Sequence, residues 1–148
     1  MSLKTKFKTD ADAARDGVWV EYTSLPNADG SVPAFKLARM GKQNRKYTLA
    51  IRDVAKNYQD ENGRPDLSTA DEAKAEAALL DVFVTTVLLD WRNFQPNDDG
   101  VALAFSQEAA REIFGSESWV DLYGDLTTKA DRAANFRQQI LVAQAKNL

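Results

Sequence analysis

The sequence predicts a mainly α-helical α+β domain, with an N-terminal β-hairpin followed by a bundle of about five helices and, inside it, either a second short hairpin or a fold-back loop. Three observations carry this reading. Val18-Trp19-Val20-Glu21-Tyr22 alternates with the period of a half-buried strand, and Pro26-Asn27-Ala28-Asp29-Gly30 behind it is a turn cluster. From Asn44 onward the large apolar residues recur at helical spacing instead.

Taken in order, residues 1–16 read as a flexible N-terminal arm, in which 11–15 form at most a turn of helix and only Leu3 and Phe7 offer anchors. Residues 17–148 form a single globular domain. The second strand of the hairpin covers residues 34–40, with Phe35 and Leu37 on one face and Lys36 and Ala38 on the other. Asn44 is the N-cap of a helix carrying Tyr47, Ile51, Val54, Ala55 and Tyr58 on one stripe, which stops near Asn62-Gly63-Arg64-Pro65. Thr69 and Glu72 fit a capping box, and the long helix they open is expected to run to about Asp90. Leu80, Phe83, Val84, Val87 and Leu88 form its apolar stripe. Asn97-Asp98-Asp99-Gly100 then joins two short segments that pair as the second hairpin or fold back as a loop. Ser106 caps the next helix, Glu108 sits in its first turn and Gly115 ends it. Trp119, Leu122, Tyr123 and Leu126 mark a further helix despite Gly124. A last helix is expected from Thr128, with Asp131 three residues on and Ala133, Phe136, Ile140 and Leu141 facing inward.

Composition narrows function mainly through what is missing. The chain of 148 residues is 44% hydrophobic and 28% charged, with a net charge of -3, an ordinary balance for a globular domain long enough to bury one core. It contains neither Cys nor His. Thiolate chemistry and disulfides are thereby excluded, and the commonest general base and metal ligand are absent. The Ser and Thr residues have no His to activate them, and Gly41 and Gly63 are too isolated to cradle a phosphate. No catalytic residue, metal site or cofactor is expected, and the protein is not expected to be an enzyme. The basic N-terminus lacks an apolar core and no window approaches a membrane span, so the expected location is the cytoplasm, with no membrane partner.

Two weaker signals have simpler explanations. Lys36, Arg39, Lys42, Arg45, Lys46 and Arg52 occur without an intervening acid and with Tyr47 among them, a pattern that clamps phosphate and stacks a base. A solvated face balanced by the acids between Asp60 and Asp81 explains the stretch better, and nucleic acid is disfavoured as a partner. Asp98-Asp99-Gly100 resembles part of a calcium loop, yet Gln95 and Ser106 stand where its two strongest ligands belong, and turn chemistry accounts for the residues.

The largest concentration of bulky side chains lies in residues 84–114 and their flanks. Most of it must be core. An exposed remnant suits an apolar helix from a partner, and the candidate client-binding residues are Phe83, Val87, Leu88, Trp91, Phe94, Leu103, Phe105 and Trp119. If Trp91 and Phe94 are both buried with no apolar patch beside them, the stretch is core alone.

Several segments taken together resemble the tail assembly chaperones of long-tailed, siphovirus-type bacteriophages and prophages. They are Asp90-Trp91, Asp99-Gly100, Phe105-Ser106-Gln107-Glu108-Ala109, Leu122-Tyr123, Ala134-Asn135-Phe136 and Lys146-Asn147, preceded by Gly17-Val18-Trp19-Val20 and Phe35-Lys36-Leu37-Ala38-Arg39. The resemblance implies a morphogenesis protein of the host cytoplasm that binds the tape measure protein, keeps it soluble, promotes tail tube polymerisation and is left out of the finished virion. Tail tube protein is a second implied partner, and coating a long client favours a homo-oligomer on it. The alternatives are a structural tail component, such as a connector or terminator, and a small nucleic-acid-binding protein using residues 36–52.

Overall fold

A computed structural model of the chain describes residues 2–57, 62, 72–132 and 136. The described elements are α1 (Leu3–Phe7), α2 (Ala11–Asp16), β1 (Val18–Glu21), β2 (Ala34–Leu37), α3 (Arg45–Asn57), α4 (Glu72–Thr86), β3 (Leu88–Arg92), α5 (Gln107–Phe114) and α6 (Val120–Asp131), the last entered through a 3-10 turn at Glu117–Trp119. The architecture is α+β and mainly helical, as the sequence predicts.

The alternating segment forms the expected hairpin. β1 and β2 pair antiparallel, with Val18 opposite Leu37 and Glu21 opposite Ala34. Their connection closes where the Gly30 N–H donates to the Asn27 carbonyl at 2.9 Å and Gly30 takes φ +88°, a conformation that suits glycine. Ala38, expected on the outer face with Lys36, is buried as fully as Phe35 and Leu37.

The helix expected to reach Asp90 instead ends at Thr86, and Leu88–Arg92 becomes β3, antiparallel to β2 on the side away from β1. Two physical features explain the correction. Val82, Val84, Thr85, Thr86 and Val87 are β-branched, which weakens a helix, and the Thr86 hydroxyl bonds back to the Val82 carbonyl at 2.7 Å. Then the pairing slips between Lys36↔Asp90 and Leu37↔Leu88, so that Leu89 is an extra residue, a β-bulge. The bulge lets Leu88 and Trp91 both face the core three positions apart. That is also the spacing of a helical stripe, so a bulged strand imitates a continuation of the helix.

Other boundaries follow local chemistry. Asn44 caps α3 as predicted, accepting the Tyr47 N–H at 3.4 Å. Ser106 Oγ accepts the Ala109 N–H at 3.0 Å at the start of α5, and Gly115 closes it. Around Asn97-Asp98-Asp99-Gly100 the chain folds back as a loop and not as a hairpin. Asp99 takes the Val101 N–H at 3.0 Å, Pro96 has none to give, and one backbone bond, Leu103 N–H to Phe94 carbonyl at 2.8 Å, joins the sides where a hairpin would have a ladder. Thr128 and Asp131 lie inside α6 and do not open a new helix; the Thr128 hydroxyl bonds back to the Gly124 carbonyl, and the chain turns extended at Arg132. Tyr58, Thr69, Ala133, Ile140, Leu141 and most of the expected 62–65 stop lie outside the described residues.

One face of the sheet carries the core. Phe35, Leu37, Leu88 and Trp91 pack against Phe83 and Val84 of α4, Ala110 and Phe114 of α5, and Leu126 and Ala130 of α6. A smaller cluster joins Ala14, Val18 and Phe136. Residues 1–16, expected as an arm, carry two short helices, seated by buried Ala14 and by the Thr9 hydroxyl, which accepts from Arg39; Leu3 and Phe7 are exposed. Immediately after β2, three consecutive N–H groups bond to three separate places: Ala38 to Val87, Arg39 to Ala14 and Met40 to Ala130, at 2.8, 2.8 and 2.9 Å.

Candidate functional site

The apolar residues singled out in the sequence divide by burial. Phe83, Val87, Leu88, Trp91 and Phe94 are core, with Trp91 and Phe94 each only 4% exposed. They form the floor of any surface site and not the surface itself, because the sheet and three helices close over them. Trp91 is fixed further by its indole N–H, which donates to the Leu103 carbonyl at 2.7 Å. Leu103 and Phe105 are half-buried, with Phe105 edge-on to Trp91 at 4.9 Å between ring centres. Trp119 is half-buried too, edge-on to Phe94 at 5.3 Å.

An apolar opening lies beside these residues. A cleft of about 460 Å³ forms where the end of β1, the hairpin connection, the chain after β3 and the start of α6 converge. Phe35 and Phe94 make its floor, Tyr22 and Pro33 one wall, and Trp119 and Leu122 the other. Leu25 stands at the rim with 66% of its surface exposed. The floor is rigid because its rings interlock edge-to-face: Tyr22 on Phe35 at 5.9 Å and Phe35 on Phe94 at 5.4 Å.

The polar groups of the cleft are acidic or neutral. Asn27 and Gln95 line it with Asp121 and Asp125. Asn27 is held by its amide, which donates to the Asn93 carbonyl at 2.8 Å, and Gln95 donates to Asp29 at 3.2 Å. Asn93 adopts φ +56°, a left-handed conformation that asparagine tolerates. Asp125 accepts from the Tyr22 hydroxyl at 2.6 Å and from Lys129, whose ammonium also lies 5.1 Å from the Tyr22 ring centre. The Lys129 hydrogen bond, then that of Tyr22, holds the Asp125 carboxyl below its ordinary range. Burial, then the bond to Asp125, pushes the Tyr22 phenol well above its ordinary range. Both groups therefore keep one protonation state through neutral pH, which suits a fixed wall. Asp121 is exposed, and its carboxylate makes no hydrogen bond or ion pair among the described residues.

Of the eight candidate residues, the cleft takes in Phe94 and Trp119. Sequence reasoning missed Tyr22, Leu25, Pro33, Leu122 and the two aspartates. Leu25 carried a readable signal, a large apolar residue next to Pro26 in a turn where polar residues are usual. Phe35 and Asp125 carried none, since their role depends on strand pairing and helix rotation.

The basic stretch does not assemble into one exposed surface. Lys42, Arg45, Lys46 and Arg52 are exposed, but Lys36 lies half-buried on β2. Arg39 is half-buried, donates to the Thr9 hydroxyl at 2.9 Å and keeps a buried Nε without a partner. Tyr47 packs on the core, and burial raises its phenol pKa. Among the described residues no group of acids could hold a metal ion, and no helix is long and apolar enough to cross a membrane.

Compared with known proteins, the sequence matches a family model described as YdaY prophage protein over residues 41–147. Neither the curated proteins nor the solved structures give a match.

Proposed function

Because the chain belongs to the YdaY prophage protein family, we propose that it is a tail assembly chaperone that binds the tape measure protein, keeps it soluble and promotes polymerisation of the tail tube. The observation that supports this reading is the cleft floored by Phe35 and Phe94 and bordered by Trp119, Leu122 and exposed Leu25. A rigid, open, apolar groove with few polar groups suits one face of an apolar helix. It acts without catalysis, in the host cytoplasm, and leaves before the virion is complete. Several copies on one long client, with tail tube protein as a second partner, fit the same role.

Coexpression with the tape measure protein of the same prophage tests the reading. The client is expected in the soluble fraction with this protein present and in the pellet without it. Equal aggregation in both would overturn the reading. Mass spectrometry of purified particles is expected to find the tail tube and not this chain; its retention in virions would favour a structural tail component.

A further inference from the structure

The chemistry around the cleft selects among apolar helices. Asp121 stands open at the rim, Asp125 is in the wall, and Asp29 approaches through Gln95. Among the described residues no basic residue lines the cleft; near Asp125, Lys129 is bonded to it and Arg132, at the end of α6, adds its positive charge. An acidic helix laid here brings like charges together as water leaves, whereas a basic helix completes the missing counter-charges. This complementarity is local, since exposed Lys42, Arg45, Lys46 and Arg52 lie in a different part of the chain and line no part of the cleft.

We infer that the occupant of this cleft is a short amphipathic segment of the client whose apolar side chains enter between Leu25 and Trp119 and whose flanking Lys or Arg meets Asp121. The inference rests on the chaperone reading and adds the chemistry of the segment recognised. The carboxylates differ in what they offer: Asp125 is engaged through one oxygen by Tyr22 and Lys129, whereas the Asp121 carboxylate is exposed and has no side-chain partner among the described residues.

The test uses the full chain and two labelled peptides of about five helical turns (~18 residues) with the same leucine face, one with lysine and one with glutamate elsewhere. Fluorescence anisotropy is expected to show the leucine-lysine peptide binding at least about tenfold more tightly than the leucine-glutamate peptide, with the difference shrinking as salt rises. Asp121→Lys is expected to reverse or erase the preference while the protein stays folded by circular dichroism. Leu25→Asp, at an exposed rim position, is expected to weaken both peptides at least about tenfold. Equal binding of the two peptides, binding untouched by both variants, or no binding overturns the inference. So does a wild-type dimer, seen by sedimentation and lost in Leu25→Asp, which assigns the cleft to a second copy. Tighter peptide binding in Leu141→Asp assigns it to the chain's own C-terminal residues. The two proposals fail separately. If wild type and Leu25→Asp both keep the tape measure protein soluble, the chaperone reading stands and the cleft is not its site. If the peptide preference holds but the client still aggregates, the recognition chemistry stands without the chaperone role.

Discussion

Single residues in this protein carry disproportionate weight where one side chain serves two elements. Asn44 is buried at 2% exposure, its oxygen capping α3 while its amide donates to the Thr86 carbonyl at 2.8 Å, at the end of α4. Asn44→Ala removes the cap and strands a buried carbonyl, so unfolding in urea is expected to show a loss of about 2–3 kcal/mol. Asn44→Asp keeps an acceptor for the cap but turns a carboxylate toward the Thr86 carbonyl, and is expected to be no better. The cap was legible in the sequence; the second bond was not, because nothing local to Asn44 announces a partner 42 positions away. Asp125 provides a pH test with a definite sign. Its carboxyl is lowered in the folded state by Lys129 and Tyr22, so its contribution is complete above the unfolded value, near pH 4, and fades as pH falls through the lower folded value. The stability gap between wild type and Asp125→Asn is accordingly expected at pH 7 and expected to close in more acidic buffer, by thermal melts. The partly exposed site keeps this gap small.

At the scale of elements, the instructive region is the passage from α4 to β3. Apolar spacing through residues 80–88 reads as one helix to about Asp90, and the structure spends the same spacing on a helix followed by a bulged strand. Periodicity registers which positions are buried, and here it did so correctly for Phe83, Val84, Val87 and Leu88. It does not register the backbone that buries them when a bulge resets the alternation. The β-branched run from Val82 to Val87 was the available warning. The bulged Leu89 has a specific neighbour: a Cβ added at Gly17 would sit 2.7 Å from Leu89 Cδ1, and Gly17 holds φ +94° between α2 and β1. Gly17→Ala is expected to cost about 1–3 kcal/mol. Adding Leu89→Ala should recover the steric share and leave the backbone share, which a double-mutant cycle in urea separates.

The whole molecule separates its large aromatic residues into those that hold it together and those that border the cleft. Trp91 touches Phe35, Phe94, Phe105 and Phe114 edge-on and bonds Leu103, whereas Trp119 lies half-buried on the floor's outer edge. Trp91→Ala is expected to lose about 3–5 kcal/mol and to leave little folded protein; Trp119→Ala should cost far less, about 1 kcal/mol, while weakening peptide binding. Comparable losses for both in urea titrations would mean that the cleft wall is core. The class of the fold, the hairpin, the cap at Ser106 and the crowding of aromatics were all readable from sequence, because each rests on contacts near in the chain. Of the cleft only Phe94 and Trp119 were readable, because its remaining residues come from the connection between β1 and β2, from β2, from the chain after β3 and from α6, and meet only after the sheet has formed.

The three amides that follow β2 have a further consequence. Ala38, Arg39 and Met40 give their hydrogens to the chain after α4, to α2 and to α6, so each is a separate clock for the docking of a different part. In native-state deuterium exchange, Ala38 and Met40 are expected to exchange only through global opening, since both acceptors belong to the main core. Arg39 is expected to exchange sooner, because releasing two short helices frees it without disturbing the sheet. A common rate for all three would make residues 11–16 part of the same cooperative unit as the core, and the chain would then open as one piece.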